Sequence, residues 1–161
     1  MTSSCGHAHD HTGGLSGAGL AAELAQAETR CAADGQKLTA ARRRVLEMLL
    51  HAGQPAKAYD LMSGFEPGGA AAKPPTVYRA LEFLERHGFV HRIESLNAYV
   101  ACRHDGQAHQ AAFLICDCCG ATREVEPSAS PGLSKQAAAA AFAISGVTIE
   151  AHGLCADCQS A

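Results

Sequence analysis

Lys73-Pro-Pro-Thr-Val-Tyr-Arg-Ala-Leu-Glu-Phe-Leu-Glu-Arg-His-Gly88 runs directly into Phe89-Val-His-Arg-Ile-Glu-Ser-Leu-Asn-Ala-Tyr-Val-Ala-Cys-Arg103. The first run sets Val77, Leu81 and Leu84 at helical spacing and turns Thr76, Tyr78, Arg79 and Glu82 elsewhere. Pro75 suits a first helical turn, where its missing N–H is not needed, and Gly88 ends the helix. The second run reads as two β-strands, over residues 89–94 and 99–103, joined by Ser95-Leu96-Asn97. Upstream, an alanine-rich helix covers residues 20–33, and Thr39 caps another whose apolar stripe is Val45, Leu46, Leu49 and Leu50. A short helix over residues 57–65 follows. Helices ending in a hairpin make a winged helix, the helix-turn-helix variant whose last helix enters a DNA major groove.

Beyond residue 103 the pattern changes. An apolar strand over 111–115 leads into Cys116, residues 122–125 return after Gly120, an alanine-rich helix covers 131–144, and a third strand over 147–151 delivers Cys155. The expected class is α+β. A disordered His-rich arm (1–19) precedes a winged-helix DNA-binding domain (20–102), a linker (103–109), and a small α/β dimerisation and metal-binding domain (110–161).

Eight cysteines, with no apolar membrane-length run and no secretory leader pattern in residues 1–20, point to a cytoplasmic chain that uses thiols for metal rather than disulfides. Cys116-x-x-Cys119 and Cys155-x-x-Cys158 make two claws of a closed thiolate tetrahedron, the usual cage of a structural zinc. Cys118 turns the first claw into Cys-Asp-Cys-Cys, and the spacing shared with the second pair favours Cys116 and Cys119. His91, Cys102, His109 and Glu124 form a mixed nitrogen, sulfur and oxygen set suited to a zinc that comes and goes. His104, Asp105 and His152 are candidates for a further site. Cys5, His7, His9 and His11 in the arm form a loose metal-binding cluster at most, since ordering such a segment is costly. Cys31, alone in a helix, reads as a small buried apolar residue.

Charge is uneven. Residues 36–94 carry nine Lys or Arg against six Asp or Glu, whereas the flanking segments are acidic and the whole chain is at −3. The basic excess therefore falls on the winged helix, where phosphates would bind. Low aromatic content, with no Trp, argues against nucleic-acid binding by stacking.

The runs Lys73–Leu84 and Phe89–Val100, together with Phe113-Leu-Ile-Cys-Asp-Cys-Cys-Gly-Ala and Ile149-Glu-Ala-His-Gly-Leu-Cys, closely resemble the ferric uptake regulator family over about residues 20–158. Within it the zinc uptake regulators fit best. The resemblance implies a homodimeric winged-helix repressor that binds palindromic operator DNA when loaded with two zinc ions per subunit. It implies Cys116, Cys119, Cys155 and Cys158 at the structural ion and His91, Cys102, His109 and Glu124 at the regulatory one. Tyr78 and Arg79 match the family's Tyr-Arg pair on the recognition helix, and Tyr59 matches a tyrosine that family members place near DNA. Lys57, Lys73, Arg92 and the run Arg42 to Arg44 are candidates for phosphate contacts.

An enzyme is disfavoured. Four protein ligands leave a metal no open position for water, and no His-x-Glu or His-Glu-x-x-His context supplies a general base. The alternative reading is a zinc buffer or metallochaperone, which only zinc-dependent operator binding separates from a regulator.

Overall fold

A computed structural model describes residues 13–66, 72–102, 111–126, 131–144 and 147–160. The chain parts into two compact units between Ala108 and His109.

The first unit contains α1 (Gly17–Ala33), α2 (Ala40–Ala52), α3 (Ala58–Ser63), α4 (Pro74–Arg86), β1 (Val90–Ile93) and β2 (Ala98–Ala101). Local chemistry sets its boundaries. The Thr39 hydroxyl accepts the Arg42 N–H at 3.5 Å, capping α2, and Gly53 closes that helix at φ +62°, a conformation only glycine adopts without strain. Pro75 falls within the first two positions of α4. β1 and β2 pair antiparallel with His91 opposite Val100 and Arg92 opposite Tyr99, and Asn97 takes a positive φ in the turn. An isolated bridge from Ala56 to Tyr99 ties the segment between α2 and α3 to this hairpin.

The core of this unit joins Leu24, Cys31, Val45, Leu49, Val77 and Leu84 to Phe89 and Val90. Cys31 is 2% exposed and burial raises its thiol pKa, consistent with a small core residue. The stripe foreseen on α2 is buried at Val45, Leu46 and Leu49, while Leu50 lies at its edge.

The second unit contains β3 (Ala111–Cys116), β4 (Thr122–Val125), α5 (Pro131–Ala139), β5 (Thr148–Gly153) and α6 (Ala156–Gln159). Its sheet has the order β4-β3-β5. β3 pairs antiparallel with β4, as a short hairpin allows, and parallel with β5, which requires the crossover that contains α5. The helix expected to reach residue 144 stops at Ala139. Ala141 turns to φ +52° and the Phe142 N–H reaches back to the Ala137 carbonyl at 2.8 Å, a helix-ending motif made here without glycine. β5 continues to Gly153, two residues beyond expectation, and α6 was not foreseen.

The two cores differ in depth. Among the described residues of the second unit, only Ala111, Ala112, Phe113, Ile115, Cys116 and Cys158 are buried. Leu84, fully buried in the first unit, has no such thin surroundings. Leu84→Ala should lower the unfolding free energy by about 2–5 kcal/mol, as a cavity in a packed core does; urea unfolding followed by far-ultraviolet circular dichroism measures it.

Candidate metal centre

β3 ends at Cys116, and the turn through Cys119 carries the chain back into β4. β5 ends at Gly153 beside that turn, so Cys155 and Cys158, at the start of α6 and within it, face the first pair. The Asp117 N–H donates to the Gly153 carbonyl at 2.8 Å, which locks the two corners together. The four sulfurs of Cys116, Cys119, Cys155 and Cys158 all lie within 4.8 Å of one another. The Cys119 and Cys155 sulfurs are 3.7 Å apart. A disulfide would need about 2.05 Å, whereas a tetrahedral ion with zinc–sulfur bonds of about 2.3 Å needs sulfur–sulfur edges of about 3.8 Å. The donor set therefore fits zinc in both chemistry and spacing.

The backbone prepares the site for thiolates. The Cys119 and Cys155 N–H groups point at the Cys116 sulfur, the latter at 3.3 Å, and bring that thiol down to about 6. Burial instead raises Cys119 and Cys158, which share their protons with neighbouring sulfurs. Cys118 is half-buried and outside the four-sulfur group.

Beside the cage, His152 Nδ1 lies 2.9 Å from Asp117 Oδ1, and its Nε2 lies 3.9 Å from Glu150. His152 was foreseen as a candidate ligand and Asp117 was not singled out. Here the pair ties the turn of the first claw to the strand delivering the second. A carboxylate inside one claw and a histidine three residues before the other were the available signal.

The mixed set divides. His91 stands on β1 opposite Val100, and Cys102 follows two residues after Val100, so both project from one face of the hairpin. Their donor atoms lie within 4.8 Å of each other, and the Cys102 N–H donates to the Phe89 carbonyl at 2.9 Å. Glu124 is half-buried on β4, opposite Phe113, in the second unit. His109, His104 and Asp105 lie outside the described residues, as do Cys5, His7, His9 and His11.

On the first unit, Tyr78 and Arg79 are exposed in the first half of α4, and Tyr59 is 73% exposed on α3. Lys57 and Lys73, both exposed, occupy the N-cap positions of α3 and α4. Of the basic run on α2, Arg42 stacks on Phe83 and donates to the Lys37 carbonyl, Arg43 pairs with Glu28, and Arg44 donates to the Phe65 and Gly64 carbonyls. All three make contacts within the unit. Arg92 pairs with Glu94.

A winged helix carrying potential metal ligands in its wing, followed by a four-thiolate unit, defines a metal-binding winged-helix protein. Residues 33–154 match the ferric uptake regulator family, and the chain belongs to that family. It is 44% identical to the zinc uptake regulation protein of Escherichia coli (strain K12) over 137 residues, 84% of this chain and 80% of that protein. Among solved structures it is similar to a zinc uptake regulator complexed with zinc and DNA, with TM-score 0.81 and 43% identity over 88% of this chain and 95% of that one. It is also similar to holo XcZur, with TM-score 0.76 and 42% identity over 87% and 99%.

Structural zinc is bound with about 10–16 kcal/mol in small zinc-finger peptides, as much as the roughly 5–15 kcal/mol that holds a whole domain together. Cys155→Ser should therefore lose one zinc per chain and the folding of residues 111–160. His152→Leu breaks only an exposed pair, worth under about 1 kcal/mol, and should keep that zinc. Metal analysis after gel filtration, with circular dichroism, separates the two; a folded, zinc-replete Cys155→Ser variant would refute the assignment.

Proposed function

We propose that the protein is a zinc-responsive transcriptional repressor that binds palindromic operator DNA as a homodimer carrying two zinc ions per subunit. The observation that carries this reading is the juxtaposition of His91 and Cys102 on one face of the wing, which puts metal ligands inside the DNA-binding unit. Two donors do not complete a tetrahedron. His109 and Glu124 are the residues proposed to complete it, and Cys116, Cys119, Cys155 and Cys158 hold the other ion. His91, Cys102, His109 and Glu124 would hold the ion, and zinc bound there would supply a reversible cross-link among them. Engaged together, His91, Cys102, His109 and Glu124 favour one relation between winged helix and second unit. Molecules able to bind DNA then become a larger fraction of the population, and linkage requires operator DNA to tighten zinc binding in return.

Tyr78 and Arg79 on α4 are proposed to read bases, with Tyr59 beside them. Lys57 and Lys73 are proposed to hold phosphates at the exposed N-termini of α3 and α4, where the helix dipoles assist them. Arg42 is proposed to act at the edge of this surface, through the packing of α2 against α4. Dimerisation is supported by the exposed apolar side chains Leu114, Leu133, Phe142 and Ile149 of the second unit. A repressor working this way needs no catalytic group, and a zinc buffer would not need exposed recognition residues.

The test is a mobility-shift titration on an inverted-repeat operator at buffered free zinc. Wild-type protein should shift the operator only as zinc rises. Cys102→Ser should keep the fold, the dimer and the four-thiolate zinc while losing the zinc response; a wild-type response would place the sensor elsewhere. On the same operator, Arg79→Ala should lose about 1–3 kcal/mol of discrimination against random DNA. Lys57→Ala should weaken all sequences alike and flatten the salt dependence.

A further inference from the structure

The winged-helix unit holds a cavity of about 240 Å³ between the strap Gly13–Leu15, α1, α2 and the wing at Phe89 and Cys102. Its walls are fixed by contacts of their own. The Leu15 N–H donates to the Leu50 carbonyl at 2.8 Å, His51 Nδ1 lies 3.1 Å from the Leu15 carbonyl, and the Cys102 N–H donates to the Phe89 carbonyl. A Cβ on Gly14 would run into the His51 carbonyl, so the strap lies this close to α2 only with glycine there. Packed interiors hold few voids larger than a water molecule, and apolar cavities of about 150 Å³ already take up small apolar molecules. A space of this size beside the buried Leu46 and Leu49 is room for a ligand.

The lining separates by chemistry. Leu46, Leu49, Leu50 and Phe89 make an apolar floor, whereas the charged groups come from one face of α1, where Glu23 and Arg30 stand two turns apart with Gln26 between them. Glu23 and Gln26 are exposed and mark the solvent side; Arg30 is half-buried. The Arg30 guanidinium is held in place: its Cζ lies 4.2 Å from the centroid of the Phe89 ring, and Nη2 donates to the His87 carbonyl at 3.2 Å. A planar fork so held is preorganised for a carboxylate. Glu23, on the same face, suits a cation. Opposite charges at the rim of an apolar floor match a small zwitterion with an apolar body, and a volume below the roughly 300–1,000 Å³ of drug-sized pockets limits it to metabolite size.

We propose that this cavity binds a free apolar α-amino acid of leucine's size, with its carboxylate on Arg30, its ammonium toward Glu23 and its side chain on the α2 leucines and Phe89. A simple carboxylic acid would leave Glu23 unmatched, and a simple amine would leave Arg30 so. Cys102 stands in the same wall. A ligand there packs the wing against α1 and α2, the arrangement in which Cys102 and His91 share a face. Amino acid and zinc then tighten each other's binding by one and the same factor. The coupling rests on the reading of Cys102 and His91 as regulatory ligands; the binding step does not.

The experiment titrates the full chain with L-leucine, isocaproate and isoamylamine by calorimetry, with amide NMR shifts to locate the site. Leucine should bind with shifts centred on Ala27, Gly53 and Ala101, and each analogue, lacking one of the two charges, should bind roughly tenfold more weakly. Ala27→Leu, which fills the cavity from α1, should abolish binding while leaving the circular dichroism spectrum and the operator affinity at saturating zinc unchanged. Glu23→Gln, an exposed change, should bring leucine down to the affinity of isocaproate. Saturating leucine should make the second zinc equivalent bind several-fold more tightly. No saturable leucine binding, or binding that survives Ala27→Leu, would overturn the site; equal affinity for leucine and isocaproate would overturn the role of Glu23. Leucine binding with unchanged zinc affinity would overturn the coupling. Cys102→Ser should still bind leucine, so failure of the regulatory reading is told apart from failure of this one.

Discussion

The constraint on which the second unit depends is the convergence of four cysteine sulfurs at the ends of β3 and β5. Among the described residues, its buried apolar side chains amount to Phe113, Ile115 and two alanines beside the cysteines, and much of α5 and β5 is exposed. A core that thin falls short of the conformational entropy lost in ordering the chain. In the proposed reading, a metal ion held by these four sulfurs makes up the difference. Cys155 must arrive beside Cys116, so β5 must run parallel to β3, and α5 supplies the crossover. Backbone contacts anticipate the ion: Asp117 is held on Gly153, and N–H groups already aim at the Cys116 sulfur.

The winged-helix unit has the opposite economy. Its core is continuous from Leu24 on α1 to Tyr99 and Ala101 on β2. The metal ligands proposed there can serve another purpose than folding. His91 and Cys102 share a face of a hairpin that is fixed by pairing on one side and by the Phe89–Cys102 hydrogen bond at its end. Such a pair is placed by the hairpin itself. In the proposed reading, the closed thiolate cage is the structural site and the wing ligands belong to the switchable one.

Much of this was legible in the sequence because the signals were periodic or covalent in spacing. Val77, Leu81 and Leu84 repeat at helical intervals and are buried; Pro75 and Gly88 punctuate α4 where the helix begins and ends. The two Cys-x-x-Cys pairs declared their meeting without any knowledge of the sheet. What escaped lacked such a signal. α6 has four residues, too few for a period, and α5 ends on a left-handed Ala141 that composition gives no reason to expect. The contacts that Arg42 to Arg44 make within the fold were also not legible, because a run shows charge and not direction. Phe83, Glu28 and three backbone carbonyls supply partners within the fold. The Asp117–His152 pair joins residues 35 apart in sequence, and only the β3–β5 register brings them together.

X-ray absorption at the zinc edge tests the central claim most directly, because it counts the atoms around the ion. With one zinc per chain, the account predicts four sulfur neighbours at about 2.3 Å and no shorter shell. With the second equivalent added, a nitrogen and oxygen shell at about 2.0–2.2 Å should appear while sulfur falls to a minority per added ion. A first equivalent already surrounded by nitrogen or oxygen would contradict the assignment of the four cysteines as the cage on which the second unit folds.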